Sequence, residues 1–491
     1  MQILKFLFII VEVLVLFNLL IIVHELGHFL AARWRGLVVE RFGIWFGKPL
    51  WQKTINGVVY CLGSIPAGGY VALPQMASME VIEGKSEQPQ QKLPPISAVD
   101  KIIVAVAGPV FSFGLALVFA VIVWAIGRPV SDTETTTTIG YVVKDSPAEK
   151  VGLQPGDKIL EVDGKPVSRF GGIGDSVTWR IVRSEGENIP IKVERDGKIQ
   201  EFKPVPVKDP TASWERKSLR QIKIWPLDAA IIDKVAPNSP ADLAGLKHND
   251  RIVAVNGQKL YHFLMVTDVI QKNPNEKVAL KILRDQREFE VSLKPEVPER
   301  IAEAPAPKRK KSNQKSEQVE EDKGPKLGIS WNLTGDLSLV HPGPIEQIKL
   351  SVNSMISTFG AIFSSKSDIK PQHLSGPVKI MQIYYVLFES DQGWRQALWF
   401  SVILNVNLAL LNMLPIPVLD GGHIVLALVE WFRRKPANVK IVNIIQSFCA
   451  VVIIFYMLYV TFYDVQDLPW NRSKAREPQV RFKAPVAPET R

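Results

Sequence analysis

The chain has 491 residues, a formal net charge of +10 and only two cysteines. That length exceeds one ordinary domain, and Cys61 and Cys449, one in a loop region and one in an apolar stretch, exclude a disulfide framework and a cysteine-held metal cluster. The basic residues gather beside apolar stretches, Arg33, Arg35 and Arg41 after the first and Arg433, Arg434, Lys435 and Lys440 before the last. That pattern points to a lipid bilayer, with no nucleic acid among the partners.

In chain order, residues 1–32 are apolar enough to cross a hydrocarbon core about 30 Å thick. They lack an A-x-A cleavage site and read as a retained span. Near its end stands His24-Glu25-Leu26-Gly27-His28. Positions i and i+4 share one helix face, so both imidazoles can reach one metal ion. The spacing suits Zn²⁺, and Glu25 stands where a general base on a bound water is needed. Ionisable groups in a span are costly and commonly functional.

Residues 33–98 read as a membrane-associated β region on the cytoplasmic side. Stretches 38–46 and 57–62 are rich in β-branched and aromatic residues, with a turn near Asn56-Gly57, and 65–71 follows; a β-hairpin or small sheet is expected. Residues 99–127 form a second span, in which Ala107-Gly108-Pro109 offers small residues for close helix packing.

One pattern then occurs twice without a gap. Ser146-Pro147-Ala148, Gly152-Leu153, Gly156-Asp157, Ile159, Val162 and Gly164 match Ser239-Pro240-Ala241, Gly245-Leu246, Asn249-Asp250, Ile252, Val255 and Gly257. Equal spacing marks internal duplication. The two copies, 135–207 and 225–296, resemble tandem PDZ domains. Such modules add a peptide as a strand to a sheet edge. The stretches Ile139-Gly140-Tyr141-Val142 and Ala229-Ala230-Ile231-Ile232 depart from the Gly-Leu-Gly-Phe-like loop of that family, so either peptide capture or a spacer and filter role fits.

Residues 302–326, rich in Pro, Lys, Glu, Gln and Ser, read as a charged linker. Within 327–395, the helical spacing of Ile345, Ile348, Val352, Met355, Ile356 and Phe359 predicts an amphipathic helix on the membrane surface. Residues 396–422 form a third transmembrane segment, broken by Pro415 and Pro417, and 441–463 a fourth; 464–491 is a basic tail. With four spans, the basic loops put both termini and the central region on the side away from the cytoplasm. Arg472, Lys474, Arg476, Arg481 and Lys483 of the tail run against that assignment.

A catalytic zinc normally has three protein ligands. Glu12 lies roughly 18 Å from His24 along a helix and is out of reach. Asp420 is the one acid between Asp391 and Glu430, in an irregular stretch of a kind tolerated at membrane depth only within protein or beside water, and by elimination it is the third ligand. His423, three residues later, is a rival ligand, although a histidine beside the site or at the membrane interface is the preferred reading.

The His24–His28 motif, the Asn412-x-x-Pro415-x-Pro417-x-Leu419-Asp420-Gly421-Gly422 motif and the tandem repeats together resemble the site-2 protease family, in its bacterial sigma-E-regulating branch, over nearly the whole chain. The fold class expected is a membrane protein: four transmembrane helices, a membrane-associated β-hairpin or sheet and two tandem PDZ (α+β) domains. The resemblance implies zinc held by His24, His28 and Asp420, with Glu25 as catalytic base. It also implies substrate handling by Asn407 and Asn412, for which interhelical hydrogen bonding is the alternative. The implied substrates are transmembrane proteins of the anti-sigma-factor kind, with signal-peptide remnants. The implied place is the bacterial inner membrane, with PDZ domains periplasmic and the active site near the cytoplasmic side. The competing class is a catalytically silent scaffold that gathers ligands through its PDZ pair, but a scaffold has no need of Glu25.

Overall fold

Among the described residues, three helices are long and apolar enough to cross a membrane, Leu4–Trp34, Ala98–Ile126 and Lys440–Gln466. The computed structural model describes residues 2–76, 96–172, 174–300, 324–332, 337–390, 392–435, 437–468 and 480–482. Almost all of the 302–326 linker and most of the basic tail, including Arg472, Lys474, Arg476 and Lys483, lie outside the described residues.

The first helix, α1 (Gln2–Trp34), carries the first span, and α2 (Ala98–Ile126) the second. Helix α2 starts at a capping box. Ser97 Oγ accepts from Asp100 N at 3.1 Å and Asp100 Oδ2 accepts from Ser97 N at 3.2 Å, so two otherwise orphaned donors are satisfied. Arg35, just past α1, bonds Asp100 at 2.6 Å and ties the two helix ends together.

Between them lies a four-stranded sheet of order β2-β3-β1-β4, built from β1 (Arg41–Phe46), β2 (Trp51–Ile55), β3 (Val58–Leu62) and β4 (Ile65–Ala72). The Asn56-Gly57 turn joins β2 to β3, with φ of 50° and 79° as a two-residue hairpin of matching twist requires. The sequence reading had joined 38–46 directly to 57–62. Those stretches instead pair in parallel, through the unexpected strand β2, whose five residues are all exposed and show no alternation.

The two duplicated stretches each fold into strands with short helices around an apolar core of their own. Both are held by the same ion pair. Arg195 bonds both oxygens of Asp157 at 2.6 Å and Gly152 O at 2.7 Å. Arg284 bonds Asp250 at 2.5 and 2.6 Å and Gly245 O at 2.8 Å. The carboxylates are buried while each guanidinium closes over an aromatic ring, Phe202 or Phe289. Each unit also draws in a strand from beyond its expected limits. Ile224–Pro226 pairs with Ile139–Val142, and Ile329–Trp331 with Ala230–Val235. The loops ahead of these strands correspond, since Ala148 N donates to Ile222 O at 3.3 Å and Ala241 N to Leu327 O at 3.0 Å. At the matching left-handed position stand Lys223 (φ 63°) and Gly328 (φ 81°). The limits 135–207 and 225–296 therefore cut off one strand from each unit.

The amphipathic helix, α3 (Pro344–Phe363), is covered on two sides. Gln347 donates to Ala120 O of α2 at 3.0 Å and Ile348 is buried against apolar residues of α1, α2 and a later helix. On another face, Ser357 accepts from Trp179 Nε1 at 2.9 Å and Arg183 Nη1 at 3.0 Å, both from the first unit. It serves as a joint between spans and unit, where a helix resting on the membrane surface was expected. Helix α4 (Pro377–Glu389) packs on α1 through Tyr384, and α5 (Gly393–Asn412) follows. The 396–422 segment is broken as its prolines foretell. It comprises most of α5, a bend at 413–419 and the start of α6 (Asp420–Arg433). Arg395, Gln396, Asn405, Asn407 and Asn412 keep α5 outside the three most apolar helices. The last helix, α7 (Val439–Gln466), is mostly exposed, yet Asp464 near its end is fully buried. That carboxylate takes Arg216 from between the two units at 3.2 Å and Lys379 N of α4 at 3.1 Å. Beyond α7, Val480–Arg481 pairs with Glu299–Arg300 and Phe482 is buried, so the tail returns to the second unit.

A buried carboxylate stripped of its partner is strongly destabilised, by about 3–5 kcal/mol. Arg284→Ala is expected to destabilise the second unit by about 3 kcal/mol, the low end because the guanidinium is partly exposed. Hydrogen exchange should show faster opening of 251–255 and 278–284, with unchanged protection in 158–162 and 191–195.

Candidate metal centre

Helix α1 brings His24 and His28 onto one face, and that face lies against α2. Their Nε2 atoms stand 3.3 Å apart. The third member comes from the first turn of α6, where the bend at 413–419 returns the chain. Asp420 Oδ2 is 3.3 Å from His24 Nε2 and Oδ1 is 3.4 Å from His28 Nε2. One donor atom from each residue falls within 4.8 Å of the others, and all three residues are buried. A carboxylate in the first turn of a helix is favoured by the helix dipole.

The outer ring nitrogens are held by α2. His28 Nδ1 donates to Val104 O at 2.8 Å, which leaves the Nε2 lone pair facing inward. His24 Nδ1 pairs with Ser112 Oγ at 3.0 Å. Such outer hydrogen bonds set the tautomer and orientation of metal-binding imidazoles. Between Val104 and Ser112 lies Gly108, where a Cβ would stand 2.2 Å from His28 Nε2 and 2.9 Å from His24 Cε1. Only a residue without a side chain lets both rings lie against α2. Sequence reasoning assigned Gly108 only to helix packing and missed Ser112. The signal available was their i, i+4 spacing with Val104, a stripe on the face turned to α1.

Glu25 is next to the three. Among the described residues its Oε2 is buried and without a hydrogen-bond partner, as is Asp420 Oδ2. Unsatisfied carboxylate oxygens in a buried site are costly unless a cation compensates them. The donor set of two imidazoles and a carboxylate is one that zinc uses with a fourth position open, so these residues fit a zinc ion. Strand β4 closes over Glu25. A Cβ at Gly69 would stand 3.2 Å from Glu25 Cγ, and β4 is the outer strand of its sheet.

The two asparagines part company. Asn412, the last residue of α5, places Nδ2 3.1 Å from His24 Nε2. Asn407 makes no hydrogen bond to the three candidate ligands among the described residues, and its Oδ1 is buried without a partner. His423 is buried one turn beyond Asp420 but stands outside the convergent group. It lines a cleft with Lys101, Glu430 and Asn443, where Lys101 Nζ and Glu430 Oε2 pair at 2.7 Å.

Known proteins resemble this chain in sequence. Residues 12–456 match peptidase family M50. The regulator of sigma-E protease RseP of Escherichia coli is 29% identical over 486 residues, covering 95% of this chain and all of that protein. The protease RseP of Yersinia pestis is 27% identical over 467 residues, or 93% of this chain and 98% of its own length. A Neisseria meningitidis protein named for zinc metalloprotease activity is 28% identical over 465 residues, 92% of this chain and 98% of that protein. The match along almost the entire length, together with the buried His24-His28-Asp420 cluster, has one reading: the chain belongs to peptidase family M50 and is a zinc metalloprotease.

Proposed function

We propose that this enzyme is a site-2-type intramembrane endopeptidase that cuts the transmembrane segments of single-pass proteins such as anti-sigma factors, with signal-peptide remnants as further substrates. The observation that carries this reading is the convergence of His24, His28 and Asp420 beside the unpartnered Glu25, at the membrane-embedded end of α1. The names of its RseP relatives support the sigma-E setting, a bacterial inner membrane and a stress response. The segment 396–422 then acts as a fourth span, sheltered by α2 and α3. A silent scaffold would leave two buried carboxylates without a purpose.

His24, His28 and Asp420 would hold the zinc, which when bound would supply a Lewis acid for the peptide carbonyl and lower the pKa of water. Glu25 takes the proton of the attacking water and returns it to the departing amine. Asn412, with its amide at His24 Nε2, contacts the substrate backbone at the reacting centre. Asn407 lines the path further along α5. A transmembrane helix keeps its carbonyls paired internally, so the substrate must be unwound. Strand β4, the edge strand of its sheet among the described residues and with Gly69 against Glu25, holds it extended by strand addition.

We read the two duplicated units as PDZ domains on the periplasmic side, since Arg33, Arg35 and Arg41 assign the His28-bearing end of α1 to the cytoplasmic side and α2 then crosses back. They sit across the bilayer from the reacting carbonyl and act as a filter against bulky external domains.

Purified protein should hold about one equivalent of zinc, sharply reduced by Ala at His24, His28 or Asp420; full zinc retention in Asp420→Ala would transfer the role to His423. Gly108→Ala, which forces its methyl into both imidazoles, should likewise lose zinc. Glu25→Gln is expected to keep zinc and lose cleavage of a model transmembrane substrate by at least a hundredfold, and near-parental turnover there assigns the base elsewhere. Deleting both PDZ units with the flanks rejoined should leave cleavage of a trimmed substrate intact and admit the untrimmed form. Loss of the trimmed activity in a folded, zinc-loaded deletion rules out the filter.

A further inference from the structure

We infer that Trp45 and Asn18 form a tether that sets where β4, the edge strand of its sheet among the described residues, stands against Glu25, and thereby positions the substrate. The inference rests on the reading of β4 as the substrate-holding strand.

Asn18 is an amide in an apolar helix, and it is buried. Its Nδ2 donates to Leu14 O at 2.7 Å, and its Oδ1 accepts from Trp45 Nε1, also at 2.7 Å. Helix α1 satisfies one half of the amide and the sheet satisfies the other. Trp45 accepts an unfavourable backbone to do so. Its φ is 67°, the left-handed region that a bulky aromatic residue rarely adopts, at the bulge where the β1–β4 register shifts between Ile44 and Phe46. Strain of this kind persists only where the surrounding structure enforces it, and it concentrates at functional sites.

Asn18, Ile21 and Glu25 lie at i, i+3 and i+7 on one face of α1. A Cβ at Gly69 would stand 3.6 Å from Ile21 Cγ2 and 3.2 Å from Glu25 Cγ. The sheet therefore rests on this face at two levels, Trp45 on Asn18 and Gly69 on Glu25, roughly 10 Å apart along the helix. About three residues of extended chain span that distance. Near the end of α1 the sheet is held by Phe42, Val58 and Val71 packed with Ala31 and Ala32, and the Trp45–Asn18 bond adds the anchor at the far end that fixes its register along the helix. Register matters here because a slip of one residue turns every side chain of an added strand to the opposite face and moves a different bond to Glu25. Trp45 and Asn18 are positioning residues, acting through β4 and not on the reacting atoms.

The test measures binding of a fluorescent single-span peptide to zinc-loaded protein in the Glu25→Gln background. In the Glu25 background it maps the cut bonds of the same peptide by mass spectrometry. Trp45→Phe and Asn18→Leu should each weaken binding about tenfold, the scale of one lost buried hydrogen bond. Each should also spread cleavage over neighbouring bonds, with zinc content unchanged. The double variant should bind no more weakly than either single, because both remove the same bond. Parental affinity with a single cut bond in the variants, or additive losses in the double, overturns the tether. If Trp45→Phe fails to fold, Asn18→Leu alone decides, since it leaves the sheet sequence untouched. A parent protein without zinc or cleavage refutes the metalloprotease reading instead, so the two failures are distinguishable.

Discussion

Two imidazoles and two carboxylates are gathered within an apolar environment, and the rest of the molecule is arranged around the cost of keeping them there. Each buried ion carries a penalty of several kcal/mol unless partners compensate it. Four elements share the work. Helix α1 presents His24, Glu25 and His28, α6 presents Asp420 at its first turn, α2 takes the outer ring nitrogens, and β4 covers Glu25. Helix α2 is the common support, packing against α1, α3, α5 and α6. Its stripe of Val104, Gly108 and Ser112 shows what that support requires: an acceptor, an absent side chain and a hydroxyl in successive turns.

A second set of polar contacts ties the membrane helices to the duplicated units. The buried Asp464 at the end of α7 joins Arg216 to the start of α4, and Ser357 of α3 takes Trp179 and Arg183 from the first unit. Asp368, ahead of α4, pairs with Lys208 and Arg220 at 2.5 and 2.9 Å. The units are thus joined to α3, α4 and α7, while the site is built on α1, α2, α5 and α6. The units reach the site-bearing helices through α3 and α4, which pack against them, and through α7, whose Gln446 Nε2 donates to Pro417 O in the bend at 3.0 Å.

The sheet beside the site shows where reading by residue type runs short. Strand β2 has five exposed residues and no alternation, so only the Asn56-Gly57 turn after it marks it locally. The parallel pairing of β1 with β3 is a non-local choice made by the loop around β2. The same limit explains the two units. Their duplicated cores are visible because repeated spacing is a local pattern. The strands Ile224–Pro226 and Ile329–Trp331 are short and lie beyond the repeat as first drawn, and only pairing reveals where they belong. The tail likewise looked like a free basic segment, yet Phe482 is buried and Val480–Arg481 pairs beside the second unit.

By itself the sequence determined the chemistry: His24 and His28 share a helix face because of the 3.6-residue period, and Asp420 stands out because acids are scarce in apolar segments. It also determined the break after Asn412, since proline cannot continue a helix. Tertiary structure alone decided that Asp420, and not His423, meets the histidines, that Asn412 reaches His24 while Asn407 does not, and that Gly108 and Ser112 support the rings. Those outcomes depend on the rotation and approach of α1, α2, α5 and α6. Helix packing sets them through contacts between residues far apart in the chain, which no local pattern encodes.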